Sequence, residues 1–121
     1  VLLDDADVAF AAERVVYGAF YHAGQVCIST QTLIVPRALL STTLEALTAR
    51  VATLRTGDPS AADTDVGPLI RPSEVDRVDA WVREAVDGGG RIVAGGHRLS
   101  PTCYAPTIVV DAPAGCRLRT E

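Results

Sequence analysis

Helical patterns alternate with short apolar runs along this chain, and this alternation constrains the fold more than any other feature. Apolar residues recur every three or four positions in three stretches, residues 4–22, 37–55 and 72–87. Between and after them lie β-branched apolar runs typical of buried strands, Thr32–Val35, Arg91–Ala94 and Thr107–Val110. The alternation predicts an α/β domain with a largely parallel sheet and flanking helices.

The ends of the predicted helices carry recognisable signals. Acidic residues from Asp4 to Asp7 suit the start of the first helix, and Gly24 suits its end. The third helix opens with Pro72 and stops at the glycines that begin with Gly88. Residues 57–70 lie between the second and third helices and contain glycine, aspartate and proline, which indicate a long loop.

Composition limits the classes of partner. The 121 residues are 48% apolar, which is enough for one modest core, and the formal net charge of −4 is spread without a basic run. Nucleic acid is therefore not an expected partner. No apolar run approaches the roughly 20 residues of a membrane span, and no export signal opens the chain. We expect a soluble, cytoplasmic protein with no membrane partner.

Cys27 stands in the stretch FYHAGQVCISTQ, between the first helical pattern and the first strand-like run. It can be a packing residue, a metal ligand, half of a disulfide or a nucleophile. The chain has three cysteines and no CxxC pair, so neither a disulfide framework nor a metal site is indicated. Reduced thiols are the expectation, and the nucleophile and packing roles of Cys27 stay open at this point.

Several motifs together resemble the aldehyde dehydrogenase superfamily. FYHAGQVC is similar to the active-site cysteine motif of that family, with a Phe, three residues, Gly, Gln, one residue and Cys. Further stretches resemble the family's pattern in the family's order, namely LLDDAD, STQTLIVP, LRTGDP, TDVGPLI, VDRVDAWVREAVDGGGRIVAGG and YAPTIVVD. The resemblance covers essentially the whole chain and implies part of an aldehyde-dehydrogenase-like catalytic domain.

The resemblance implies a chemistry for Cys27. Its thiolate adds to an aldehyde carbonyl, the thiohemiacetal passes a hydride to NAD or NADP, and water hydrolyses the thioester to a carboxylic acid. A thiol suits this role because it is a soft nucleophile and a good leaving group. Ile28 and Ser29 are implied to line the substrate tunnel. Glu74 stands where many family members place a glutamine that contacts the cofactor ribose.

The resemblance also implies that much of the enzyme lies outside residues 1–121. In the family, one oxyanion donor is the backbone N–H of the cysteine, which is Cys27 here. Other regions of the enzyme supply the second oxyanion donor and the general base. They also contain the nucleotide-binding domain and the oligomerisation strands. The cofactor, NAD or NADP, is therefore bound mainly outside this chain, and the isolated segment is expected to be inactive. The parent enzyme is expected to be a homodimer or homotetramer that acts on a small-molecule aldehyde.

A second class of function remains open at the level of sequence. The chain can instead belong to a cofactor-free thiol esterase or serve as a noncatalytic assembly segment. An esterase needs a base beside Cys27, and His22 is the nearest one in sequence. Ester cleavage without nucleotide would distinguish this alternative from NAD(P)-dependent oxidation of an aldehyde.

Overall fold

The computed structural model describes residues 1–121 and confirms three long helices near the predicted places. These are α1 (Val8–Phe20), α2 (Leu40–Val51) and α3 (Pro72–Asp87), and a one-turn helix, α4 (Arg117–Thr120), follows near the end. A short 3₁₀ helix, Arg37–Leu39, precedes α2, and a turn, Tyr21–Gly24, whose φ angles are positive at His22, Ala23 and Gly24, follows α1. No helix combines the length and the apolar composition that a membrane-spanning segment needs.

The helix ends explain where the predicted limits were too wide. Asp7 caps α1 by accepting a hydrogen bond from the Phe10 N–H at 3.0 Å, so the helix begins at Val8 rather than at residue 4. Pro72 is the first residue of α3, where its missing N–H costs nothing. The helix ends at Asp87 because Gly88 caps it and Gly89 takes a positive φ of 104°.

The paired strands of the structure are β1 (Arg91–Ala94) and β2 (Ile108–Val110), and they run antiparallel with Ile92 opposite Val109. The α/β class is as predicted, but these strands do not form the largely parallel sheet that the pattern indicated. The reason lies after β1, where Arg98 bridges Tyr104 in antiparallel fashion and the Leu99 N–H donates to the Cys103 carbonyl at 2.9 Å. The chain therefore turns back between these residues as in a hairpin, whereas parallel neighbours need a crossover connection.

The predicted buried strand Thr32–Val35 is wrong. Residues 31–36 have no regular secondary structure, and a single backbone hydrogen bond, from the Leu2 N–H to the Ile34 carbonyl at 2.9 Å, joins them to a neighbouring segment. A strand needs a ladder of such bonds, which one bond does not make. The segment is also not fully buried, since the Ile34 side chain is 61% exposed.

The sheet lies between two helical layers. Ala12, Val16, Leu47 and Val51 form a buried cluster between α1 and α2, and Ile108 of β2 packs against it. Val75 and Val82 of α3 form a second cluster with Tyr104, and Val109 packs against that one. Successive side chains of a strand point to opposite faces, so β2 contacts a different helical layer with each residue. Helices cover both faces of β2, which explains why its sequence, IVV, is apolar at every position.

Candidate active site

The chain makes a strained left-handed turn immediately after α1. His22, Ala23 and Gly24 have φ values of 55°, 56° and 72°. Glycine adopts this conformation freely, but a residue with a Cβ pays on the order of 1 kcal/mol for it. Strain of this kind persists where surrounding contacts hold it, and it often marks functional sites. The turn directs the following residues back along the end of α1.

Cys27 lies at the tip of a second turn. The Ser29 N–H donates to the Val26 carbonyl at 3.0 Å, so Cys27 and Ile28 are the two central residues of a β-turn. The Cys27 thiol is free and exposed, and the Ile28 side chain is 85% exposed. The Cys27 N–H donates to no backbone carbonyl of the chain. A free thiol and an N–H group without a backbone acceptor therefore stand next to each other at the surface.

The end of α1 supports this turn from behind. The Ser29 hydroxyl donates to the Ala19 carbonyl at 3.2 Å, and the Thr30 N–H donates to the Gly18 carbonyl at 3.1 Å. These bonds satisfy two carbonyls that the end of a helix would otherwise leave without partners. The approach requires a glycine at position 18, because a Cβ there would lie 2.8 Å from the Thr30 hydroxyl oxygen.

Gln25 joins the cysteine turn to the loop that precedes α3. Its Oε1 accepts from the Ile70 N–H at 3.0 Å, and its Nε2 donates to the Pro68 carbonyl at 3.3 Å and to the His22 carbonyl at 3.4 Å. One amide group thus contacts both the left-handed turn and the segment just before the first residue of α3.

Glu74 lies in the first turn of α3, close in sequence to the segment that Gln25 holds. Its carboxylate accepts from Arg77 at 2.8 Å and from Arg71 at 3.2 Å, and its side chain is 20% exposed. The hydrogen bond from Arg77 lowers the pKa of Glu74 below its usual range. The group is therefore an ionised acceptor near neutral pH, and it bonds to its own helix end rather than to the cysteine turn.

A charge network centred on the buried Asp79 fixes α3 to the chain that returns toward β2. Asp79 of α3 accepts hydrogen bonds from Tyr104 at 3.1 Å and from Arg98 at 3.1 Å, and it forms an ion pair with Arg83 at 2.9 Å. Burial acts to raise the pKa of Asp79, but the hydrogen bonds from Arg98 and Tyr104 outweigh it and leave that pKa below the ordinary value. Burial makes the larger contribution and the hydrogen bond to Asp79 the next largest, and together they raise the pKa of Tyr104 to about 12.

Comparison with known proteins identifies the family. The whole chain, residues 1–121, matches the model of the aldehyde dehydrogenase family. The chain belongs to this family. The structure agrees, because it superimposes on solved aldehyde dehydrogenases over most of its length, and these superpositions confirm the predicted fold class.

Individual relatives illustrate the match. Vanillin dehydrogenase from Pseudomonas fluorescens is 36% identical over all of this chain and 25% of its own length. Aldehyde dehydrogenase 21 from Physcomitrella patens, solved with its product succinate, is 36% identical with a TM-score of 0.89 over 93% of this chain and 23% of its own. Glyceraldehyde-3-phosphate dehydrogenase from Methanocaldococcus jannaschii, solved with NADP, is 35% identical with a TM-score of 0.85 over 88% of this chain and 23% of its own.

The chain spans about a quarter of the length of these aldehyde dehydrogenases. Of the residues singled out in the sequence, Cys27, Ile28 and Ser29 come together in one turn, and Glu74 lies on a separate element. Gln25 was recognised only as a letter of the cysteine motif. Its bonds reach residues more than 40 positions away, and no local spacing signals such a contact.

Proposed function

We propose that residues 1–121 are the cysteine-bearing part of the catalytic domain of an NAD(P)-dependent aldehyde dehydrogenase. The complete enzyme oxidises an aldehyde to a carboxylic acid. The observation that carries this proposal is the free, exposed thiol of Cys27 at the tip of a supported turn, in a chain that matches the family over its whole length.

Cys27 is the nucleophile of the proposed reaction. Its thiolate Sγ adds to the carbonyl carbon, a carbon–sulfur bond forms, and the carbonyl electron pair moves to oxygen to give a thiohemiacetal. When bound, NAD or NADP accepts the hydride that leaves this carbon. Water then attacks the resulting thioester, the carbon–sulfur bond breaks, and the carboxylic acid and the thiol of Cys27 are released.

The Cys27 N–H is the oxyanion donor that this chain contributes. Support comes from its lack of a backbone acceptor inside the chain and from its position beside the thiol. A preorganised donor of this kind typically contributes about 3 kcal/mol to stabilising the transition state. We assign the second donor and the general base that activates water to regions outside residues 1–121.

Ile28 and Ser29 are proposed to line the substrate site with different roles. The Ile28 side chain, at 85% exposure, is the most exposed of the large apolar side chains in this chain, and it offers an apolar wall beside the thiol. Ser29 donates its hydroxyl to the Ala19 carbonyl, so its main contribution is to hold the turn. The aldehyde itself is selected by residues that other regions supply.

Glu74 is the residue of this chain proposed to contact the cofactor. Ribose hydroxyls are donors, and an ionised carboxylate that already accepts two arginine N–H groups keeps further lone pairs for them. The free acceptor positions of Glu74 therefore fit a nucleotide ribose. Most of the NAD or NADP site is assigned to the nucleotide-binding domain of the complete enzyme, which also decides between the two cofactors.

The complete enzyme is proposed to be a cytoplasmic homodimer or homotetramer. The cytoplasmic assignment is supported by three cysteines that are all unpaired, since Cys27 must remain a reduced thiol to react. The small-molecule aldehyde is its partner in the reaction, and neither nucleic acid nor a membrane is assigned a role. The isolated 121-residue segment is expected not to oxidise aldehydes.

The test begins with the intact mass of the polypeptide purified from its source under denaturing conditions. A mass several times 12.7 kDa is expected, and a mass near that value would contradict the proposed larger enzyme. Aldehyde oxidation with NAD and with NADP is then measured for the wild type, for Cys27→Ala and for Cys116→Ala. Loss of the nucleophile should lower kcat by about 10⁴-fold or more.

Cys116→Ala is the matched control, because Cys116 is buried away from the turn and its removal should leave kcat nearly unchanged. Equal loss in both variants would mean that the effect is structural. Ester cleavage without nucleotide, combined with no aldehyde oxidation, would favour a thiol esterase instead.

A further inference from the structure

The side chain of Gln25 is the one group that bonds the cysteine turn to the loop before α3. It uses both halves of its amide, since Oε1 accepts from Ile70 while Nε2 donates to Pro68 and His22. Glutamine suits this site because only an amide side chain of this length offers an acceptor and two donors at its end. Aspartate, glutamate, lysine and arginine each lack one of the two capacities when ionised.

The left-handed turn gives Gln25 a second task. The Gln25 backbone N–H donates to the His22 carbonyl at 3.1 Å, and the side-chain Nε2 donates to the same oxygen. His22 and Ala23 both have a Cβ and both take positive φ values, so the turn relaxes unless it is held. The residue that closes this turn is separated from Cys27 by Val26 alone.

We propose that Gln25 is a positioning residue for the nucleophile. It clamps the strained turn and ties it to residues 68–70, so that Cys27 is presented at a fixed distance from the first turn of α3. The proposal rests on the function proposed above, in which Cys27 attacks the substrate and Glu74 contacts the cofactor. Gln25 itself touches neither the aldehyde nor the nucleotide.

The tie matters because Cys27 and Glu74 belong to different layers of the fold. Cys27 follows α1, whereas Glu74 is part of α3, on the other side of the sheet. Bonds from Gln25 to the Pro68 carbonyl and the Ile70 N–H end two residues before Pro72, the start of α3. A change at Gln25 therefore alters how the thiol faces a cofactor held by α3.

Two substitutions separate positioning from simple packing. Gln25→Leu removes the acceptor and both donors with little change in volume, whereas Gln25→Glu keeps the acceptor for Ile70 and loses the donors. Both are made in the complete polypeptide, with Gln31→Leu at an exposed glutamine further along the chain as the control. Thermal unfolding of each variant shows whether it still folds.

Amide hydrogen exchange measures the hydrogen bonds between Gln25 and residues 68–70 independently of catalysis. The Ile70 N–H should exchange about 10-fold faster or more in Gln25→Leu, remain protected in Gln25→Glu, and be unchanged in Gln31→Leu. Unchanged exchange in Gln25→Leu would overturn the proposal. If Gln25→Leu fails to fold, Gln25→Glu answers the same question, because it loses the Nε2 bonds to the His22 and Pro68 carbonyls. The backbone N–H of residue 25, which closes the turn on the His22 carbonyl, should then exchange faster, and unchanged exchange there would overturn the proposal.

Steady-state kinetics measure the consequence. Misplacement of a reacting group commonly lowers rates by about 10- to 100-fold, so kcat should fall by this amount in Gln25→Leu and by less in Gln25→Glu, with little change in the KM for the aldehyde. Faster Ile70 exchange with an unchanged kcat would refute the positioning role. If the wild type oxidises no aldehyde, the proposed function fails, and the exchange result still decides whether Gln25 holds the turn.

Discussion

Removing one hydroxyl from the charge network on α3 should destabilise the folded chain by a defined amount. In Tyr104→Phe the ring remains in the second core cluster, but Asp79 loses the hydrogen bond that it accepts at 3.1 Å. Asp79 keeps its hydrogen bond from Arg98 and its ion pair with Arg83, so the carboxylate is not left without partners. The substitution therefore isolates one buried hydroxyl–carboxylate bond.

Two considerations bracket the size of the effect. A hydrogen bond to a charged group contributes about 1.5–3 kcal/mol to stability, and the retained arginine bonds favour the lower end. A rise in the pKa of Tyr104 from 10.0 to about 12 corresponds to about 3 kcal/mol between the two protonation states. Burial accounts for the largest part of that rise, so the bond itself is worth less. We expect the free energy of unfolding to fall by about 1.5 kcal/mol.

The difference in unfolding free energy between wild type and Tyr104→Phe should also depend on pH, and this dependence provides an independent check. The pKa of Tyr104 is higher in the folded chain than in the unfolded chain, so its contribution is fully present below about pH 10. The contribution is lost as the pH rises from about 10 to about 12. Phenylalanine has no proton to lose, so the difference in stability between wild type and Tyr104→Phe should narrow across this range.

Denaturant unfolding at a series of pH values, followed by circular dichroism, measures both quantities. Groups that wild type and Tyr104→Phe share cancel in the difference between them, so its change with pH reports the titration of Tyr104. An unchanged slope against denaturant would show that the unfolded state is unaffected. A difference that stays constant from neutral pH to pH 12, or a variant as stable as wild type, would refute the assigned bond.

Two further pairs of substitutions test the cap of α1 and the turn that follows it. Asp7→Ala should lower the free energy of unfolding by about 1 kcal/mol because Phe10 loses its capping acceptor, whereas Asp7→Asn should change it by only a few tenths; equal losses in denaturant unfolding would contradict the cap. Ala23→Gly should stabilise the chain by roughly 0.5–1 kcal/mol because φ is positive there. Ala11→Gly, inside α1, should instead destabilise it by about 1 kcal/mol, and effects of the same sign in both would refute the strained turn.

The helices of this chain could be predicted because their signals are local. Pro72 and the glycines after Asp87 lie at the two ends of α3, and the predicted and observed limits of that helix agree. The pairing of the strands was harder to predict. An apolar run indicates that a strand is buried on both faces, but it does not indicate whether the neighbouring strand runs parallel or antiparallel to it. Ile108 and Val109 are covered by helices on opposite faces, as in a parallel sheet, and yet their partner strand is antiparallel.

The site could be predicted only as far as its motif extends. Cys27 was singled out by resemblance, and the structure adds that it lies exposed in a turn with Ile28. The support for this turn was not foreseeable, because the Gln25 amide contacts a distant loop and the Ser29 hydroxyl reaches the end of α1. Asp79 was missed for a related reason, since its buried position on α3 depends on arginines and a tyrosine brought together by folding.

The layered arrangement explains why a few polar contacts carry so much of the site. Cys27 depends on the end of α1, and Glu74 depends on the start of α3, which packs through a separate core cluster. The alternating side chains of β2 connect these clusters through apolar contacts, and the hydrophobic effect that drives such contacts has no preferred direction. Hydrogen bonds are directional, so the bonds of Gln25 fix the relation between the layers that apolar packing leaves loose. Changes in the core should therefore alter stability first, and changes at Gln25 should alter catalysis first.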